Sequence, residues 1–255
     1  IAGTDSDYAN SIITDANDNV YVAGDFNSYT LTFNNGITIS KSGLSDDSFI
    51  AKYNSDGVCQ WAEKITSSGN EDAKSIITDA NGNVYIAGRF YSSIITFNNG
   101  ITLLNSGLLW DGYIAKYNSS GVCQWAEKIA GSDSEYAFSI STDVNNNVYV
   151  AGYFRSDTVI FNNSITLSNS SNLDGYLAKY NSDGVCQWAE KIAGTDVDET
   201  NSINTDANGN VYVAGYFRSP SLTLNNGITV LNSGLEDSYI AKYNSDGVCQ
   251  WAEKI

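Results

Sequence analysis

The chain contains no histidine, no methionine and a single proline, and it sets only 13 lysines and arginines against 29 acidic residues. Without histidine it lacks the side chain that most often serves as acid–base group and metal ligand near neutral pH. A net charge of −16 argues against nucleic acid as a partner, because phosphate binding needs clustered Lys and Arg. No apolar run reaches the ~20 residues of a membrane-spanning helix and no secretory leader is read at the start, so no membrane insertion is expected. The absence of methionine leads us to expect a piece of a longer precursor or array rather than a chain beginning at its start codon. No helix-length apolar stripe is present, and Pro220 falls between strand patterns, so an all-β fold is expected.

What the chain has is repetition. The fourteen residues Lys52–Ile65 return with one change as Lys116–Ile129, then unchanged as Lys179–Ile192 and Lys242–Ile255. They divide the chain into repeats 2–65, 66–129, 130–192 and 193–255, and a fixed period of this length marks units that stack on one another. In the second repeat, Ser75–Thr78 and Val84–Phe90 read as strands around the turn Asp79–Asn83,. Ile94–Phe97 and Ile101–Leu104 flank Asn98-Asn99-Gly100, and Asn-Gly between apolar runs is the strongest short hairpin signal,. Tyr113–Tyr117 and Val122–Ile129 are two further strands around Asn118–Gly121. Bulk on both faces of these strands requires cover on both sides. The expectation is one four-bladed β-propeller over 1–255, with four-stranded antiparallel blades and an extra β-hairpin between the second and third strand of each. A β-helix is the runner-up.

The segments Ser75–Gly88, Asp111–Asn118 and Gly121–Trp125 resemble the SBBP-type bacterial β-propeller repeat, which is NHL-like. The resemblance implies that the first segment supplies strands a and b, the second c and the third d. The chain departs from it in the added hairpin, in Cys where an aliphatic residue precedes Gln-Trp, and in having four repeats where that family implies about seven blades. Either four blades close on themselves, or a larger ring or array is completed by other chain.

Four near-identical units repeat the same groups instead of converging unlike ones, so no catalytic residues and no enzyme activity are expected. Asp7, Glu71, Glu135 and Asp198 share one position ahead of strand a. They are read either as a carboxylate ring at a channel mouth that suits Ca²⁺ or as caps on loop amides; no other cofactor is implied. Asp15, Asp79, Asp143 and Asp206 open Asp-x-Asn-x-Asn turns without the downstream Glu of a calcium loop. Lys52, Lys116, Lys179 and Lys242 are expected to pair with Asp47, Asp111, Asp174 and Asp237. Cys59, Cys123, Cys186 and Cys249 are read as buried free thiols on the same face as the Trp two residues on, with an inter-chain disulfide or a metal as alternatives. The hairpin-tip residues Asn34, Asn35, Asn98, Asn99, Asn162, Asn163, Asn225 and Asn226 are expected to offer amides to ligands or a strand edge to another subunit. Asn118, Asn162 and Asn169 are formal glycosylation sequons,.

These features lead to a non-enzymatic extracellular or cell-surface building block of a fibre, filament or other repetitive assembly, with copies of itself as partners. The alternative is a multivalent lectin-like propeller binding glycans or proteins.

Overall fold

The structure, a computed structural model, describes residues 1–170 and 172–255. Ser171, the third residue of the Asn169 sequon, lies outside the described residues. Every major segment is a strand, and among the described residues there is no α-helix. The first repeat holds β1 (Asp7–Thr14), β2 (Val20–Phe26), β3 (Thr30–Thr32), β4 (Thr38–Ser40), β5 (Asp47–Tyr53) and β6 (Cys59–Ser67). The second holds β7 (Glu71–Thr78), β8 (Val84–Phe90), β9 (Ile94–Thr96), β10 (Thr102–Leu104), β11 (Asp111–Tyr117) and β12 (Cys123–Ile129). The third holds β13 (Glu135–Thr142), β14 (Val148–Phe154), β15 (Thr158–Ile160), β16 (Thr166–Ser168), β17 (Asp174–Tyr180) and β18 (Cys186–Ile192). The fourth holds β19 (Asp198–Thr205), β20 (Val211–Phe217), β21 (Ser221–Thr223), β22 (Thr229–Leu231), β23 (Asp237–Tyr243) and β24 (Cys249–Lys254).

In each repeat four long strands pair antiparallel in chain order, as β1-β2-β5-β6 does, and form one blade. The short third and fourth strands form the inserted hairpin, whose tip places two consecutive residues at positive φ, such as Asn99 (64°) and Gly100 (76°). That is the backbone of a tight hairpin turn matched to strand twist. The loop shortened by one residue in the last two repeats lies between hairpin and third strand, as the sequence spacing suggests.

Strand a starts about four residues earlier than its β-branched core, because Glu71, Asp72 and Ala73 pair with Phe90, Arg89 and Gly88 of β8 ahead of the Ser75–Thr78 pairing. The register slips between Ala73 and Ser75, so Lys74 is a bulge. The equivalent slip in β1 drives the Tyr8 carbonyl toward Gly24, where a Cβ would lie 1.9 Å from that oxygen. Only glycine fits there.

A second slip lies in the outer strand: Lys52 faces Trp61, but Tyr53 faces Cys59. The expectation that Cys and Trp share a face is therefore corrected. Gln60 is the extra residue, and it turns Cys59 toward Phe49, Ala51 and Val22 while Trp61 points to the opposite side with Tyr21.

The chain divides into two compact units, Ile1–Lys128 and Ile129–Ile255. Within the first, one face of blade 1 (Tyr21, Ala23, Ile50, Ile65) packs on the facing side of blade 2 (Ala73, Ile76, Val84, Ile86, Tyr117). The second repeats this with Tyr149, Ala151, Leu177 and Ile192 of blade 3 on Ile203, Val211, Val213 and Tyr243 of blade 4. Each core thus consists mainly of aliphatic and aromatic residues pressed between two sheets,.

Candidate functional site

The four recurrent acids of strand a are drawn into their own blades. Glu71, Glu135 and Asp198 are fully buried, and Asp7 is half-buried. Asp7 Oδ2 accepts from Ser28 Oγ at 2.8 Å, Glu135 Oε1 from Ser156 Oγ at 2.6 Å and Asp198 Oδ2 from Ser219 Oγ at 2.7 Å. The same serines accept backbone N–H groups from the loop ahead of strand a, as in Asp5 N–H to Ser28 Oγ at 2.9 Å. The carboxylates therefore cap loop amides through a serine.

Glu71 departs from this plan. Ser92 Oγ pairs with Ser67 Oγ at 2.5 Å and accepts Gly69 N–H at 2.8 Å, and neither Glu71 carboxyl oxygen finds a hydrogen bond of good geometry. Burial pushes the Glu71 carboxyl up to about 9; the Ser67 hydroxyl opposes the shift, and the charges of Asp47, Asp25 and Asp72 add to it,. Burial and the Asp72 charge likewise push Asp25 up to about 6, although Asp25 accepts from Ala73 N–H, Ser48 Oγ and Asn10 Nδ2.

The Asp-x-Asn-x-Asn turns are closed by their own hydrogen bonds. Asp79 Oδ1 accepts the N–H groups of Asn81 and Asn83, both at 2.9 Å, and Oδ2 accepts Asn83 Nδ2 at 2.8 Å and the Tyr85 hydroxyl at 3.0 Å. Asp15, Asp143 and Asp206 repeat this pattern. The Asn210 side chain and the backbone N–H groups of Asn210 and Asn208 hold the Asp206 carboxyl down to about 2, against a smaller effect of burial. All four aspartates are thus occupied in plain hairpin turns.

The hairpin-tip asparagines turn inward rather than offering their amides outward. Asn98 Nδ2 donates to the Gly121 carbonyl at 2.6 Å, and its Oδ1 accepts Cys123 N–H at 2.7 Å. Asn99 Nδ2 donates to the Cys123 carbonyl at 3.3 Å. Asn34 with Asn35 makes the same three contacts, as does Asn225 with Asn226. Asn162 and Asn163 bond Gly184 and Cys186 likewise. The physical reason is that the hairpin folds over the outer strand of its blade, whose bulged start leaves N–H and C=O groups to be satisfied.

The expected ion pairs are also corrected. Lys52, Lys116, Lys179 and Lys242 lie 5.2–5.5 Å from the ring centres of Tyr21, Tyr85, Tyr149 and Tyr212. The aspartates instead meet the lysine near the end of the outer strand, as in Lys191–Asp174 at 3.5 Å and Lys254–Asp237 at 3.4 Å. Antiparallel pairing of the third and fourth strands, with Phe49 opposite Lys64, brings these two ends together. All four cysteines are buried and free, and burial pushes Cys123 and Cys186 up to about 12, which keeps them as unreactive thiols,.

Residues that the sequence did not single out as a pair build the contact between successive blades. Trp61 rests on the Asn118–Gly121 turn, so close that a Cβ on Gly121 would meet its ring at 2.8 Å, and its Nε1–H donates to the Ser119 carbonyl at 3.1 Å. Trp188 does the same on Gly247 and Ser245, at 2.9 and 3.2 Å. The signal was present in the fourteen-residue string, where Trp and the turn glycine recur together. One copy of the receiving face is uncovered: Ile12 is 67 % exposed, against 3 % for the equivalent Ile76 and 7 % for Ile203. There blade 1 carries an open apolar hollow of about 450 Å³ lined by Ala9, Ile12, Val20, Val22, Tyr53 and Gly57, among others.

No family model matches the chain. It is 26 % identical, over 322 aligned residues, to an uncharacterized WD repeat-containing protein, L264, of Acanthamoeba polyphaga mimivirus, covering all of this chain and 23 % of that protein. It is 25 % identical over 176 residues to the regulatory protein FlaEY of Caulobacter vibrioides, covering 67 % of this chain and 18 % of that protein. The chain thus spans less than a quarter of the length of these curated relatives. A solved structure of a protein of unknown function from Dyadobacter fermentans aligns with a TM-score of 0.44 at 7 % identity, over 96 % of this chain and 74 % of that one. The repeated four-stranded antiparallel sheets and the WD-repeat relative together fit a repeat fold of β-propeller type.

Proposed function

We propose that the chain is a non-enzymatic interaction scaffold, a propeller-type building block that assembles with copies of itself into a fibre, filament or similarly repetitive structure outside the cell or at its surface. The observation that carries this reading is the uncovered apolar face of blade 1, whose counterpart in blade 2 is the buried half of a blade-to-blade contact. An exposed apolar patch of this kind marks a surface for association. The recurrent polar groups support the same reading, because they are engaged in turns, caps and clamps inside each blade. A WD repeat-containing relative fits an interaction scaffold but names no partner. Membership of the SBBP-type repeat family belongs to the same proposal, supported by the strand order a-b-c-d of every blade.

Negative-stain electron microscopy of the concentrated protein tests the assembly. Filaments or ordered arrays are expected, and a field of dispersed single particles would sink the reading. Proteolytic shaving of intact source cells tests the location, with loss of the protein from unbroken cells as the expected result. One observation favours a second reading, saccharide binding: exposed Tyr91 packs beside Trp110 with ring centres 5.6 Å apart, and the Arg89 guanidinium lies 4.2 Å from the Trp110 ring centre. Binding of a dispersed monomer on a glycan array, lost on Tyr91→Ala, would establish that reading instead.

A further inference from the structure

The blade-to-blade contact occurs within both units with the same parts. A giving face supplies Tyr, Ala, an aliphatic residue and Trp: Tyr21, Ala23, Ile50 and Trp61 in blade 1, and Tyr149, Ala151, Leu177 and Trp188 in blade 3. A receiving face supplies an Ile, two aliphatic residues, a Tyr and an Asn-Ser-x-Gly turn whose serine carbonyl takes the indole N–H. Lysine adds a second donor to that carbonyl, Lys179 Nζ to Ser245 O at 2.9 Å and Lys52 Nζ to Ser119 O at 3.4 Å.

Among the described residues, the giving face of blade 4 and the receiving face of blade 1 have no such partner within their own units. In blade 4, Trp251 is 38 % exposed, and Tyr212, Ala214 and Ile240 are half-buried, whereas Tyr21, Ala23 and Ile50 are fully buried. In blade 1, Gly57 has nothing within 4 Å of where its Cβ would sit, whereas Gly121 and Gly247 each lie against a tryptophan. The four giving residues of blade 4 are identical to those of blade 1. The receiving residues Ile12, Val20, Val22, Tyr53 and Asn54-Ser55-Asp56-Gly57 match Ile76, Val84, Ile86, Tyr117 and Asn118-Ser119-Ser120-Gly121 closely.

Resting on the self-assembly reading above, we propose that blade 1 of one copy receives blade 4 of a second copy. Trp251 stacks on the Asn54–Gly57 turn and donates its Nε1–H to the Ser55 carbonyl, with Lys242 as the second donor. The occupant is specified by continuity with a contact this chain already makes twice: shape, apolar residues and hydrogen-bond partners are all encoded in the repeat. Because the two faces differ, the contact is head-to-tail, and each added copy presents a fresh receiving face.

Size-exclusion chromatography with light scattering on the full chain across a concentration series tests it, using Ile12→Lys and Trp251→Ala. Both positions are exposed, so both variants retain the β circular-dichroism spectrum. The wild type is expected to show whole multiples of 27.5 kDa that grow with concentration, and either variant alone to lose every species above the monomer. An equimolar mixture of the two variants is expected to stop at a dimer, because only one compatible pair of faces remains. Assemblies that survive both substitutions overturn this contact and leave self-assembly standing. A wild type that stays monomeric at every concentration overturns both.

Discussion

Replacing Glu71 by Gln tests the account of the buried acids most directly. Glu71 is fully buried with no hydrogen bond of good geometry to either carboxyl oxygen, and its carboxyl is pushed from the ordinary 4.5 up to about 9, with only the Ser67 hydroxyl opposing the shift. A folded-state value raised above the unfolded one means that the folded chain holds a proton the unfolded chain releases. The stability associated with that proton is complete below about pH 4.5 and is lost as pH climbs toward 9,. At pH 7 the loss amounts to about 3 kcal/mol, taking 1.36 kcal/mol for each pH unit above the unfolded value. Glutamine is neutral at every pH and nearly the same size, so it removes this loss. Urea titrations of wild type and Glu71→Gln at pH 4.5, 7 and 9 are the assay. The midpoints should coincide at pH 4.5 and separate progressively in favour of the variant at pH 7 and 9. A difference that does not change with pH, or a variant less stable at pH 7, would refute the reasoning.

Three further outcomes follow from the geometry. Asn98→Ala removes both halves of the clamp on Gly121 and Cys123 and leaves N–H and C=O groups short of a partner, which should cost about 1–3 kcal/mol by chemical denaturation; a loss under half a kilocalorie would show that water replaces the clamp. Ser164 holds φ at +62°, where the other hairpins have glycine, so Ser164→Gly should raise the urea midpoint by about 0.5–1 kcal/mol in stability, through relief of left-handed strain. Because each Asp-x-Asn-x-Asn turn is closed by its own hydrogen bonds and the strand-a acids lie inside their blades, EDTA should leave the thermal midpoint unchanged; a calcium-dependent rise of several degrees would restore the carboxylate ring.

The strand content was legible because blade strands are dense in Val, Ile, Tyr and Phe and are separated by turns that need Asn, Asp or Gly. Val84–Phe90 and the Asn98-Asn99-Gly100 tip fell where the pattern placed them. Faces were less legible. A bulge is one residue with no composition of its own, so nothing around Gln60 announces that Cys59 and Trp61 part company. Lysine partners were misread for a similar reason: Lys52 looks close to Asp47 in sequence, but strand alternation puts it over Tyr21. The pairing of Asp with the lysine near the strand end could have been found by folding the third and fourth strands back about Asn54–Gly57. Burial of the strand-a acids had no local signal, since it depends on a serine about twenty residues downstream.

The sixth strand of the first repeat does not stop at the repeat boundary. It runs on to Ser67 and pairs with the hairpin of the next repeat, Thr66 opposite Thr96 and Ser67 opposite Ile95. Single bridges join Ala2 to Thr32, Ala130 to Ile160 and Ala193 to Thr223 at the position equivalent to Thr66 and Thr96, each within its own repeat. The pairing thus changes partner at the repeat boundary itself: Ile65 still faces Ser48 of the first blade, whereas Thr66 already faces the hairpin of its own repeat. A protease nick at the natural-looking joint between Ile65 and Thr66 would sever a stitch between neighbours, whereas one in the exposed Ser55–Asp56 turn would open only a loop. Between the first two blades, backbone hydrogen bonds as well as side chains therefore join one blade to the next.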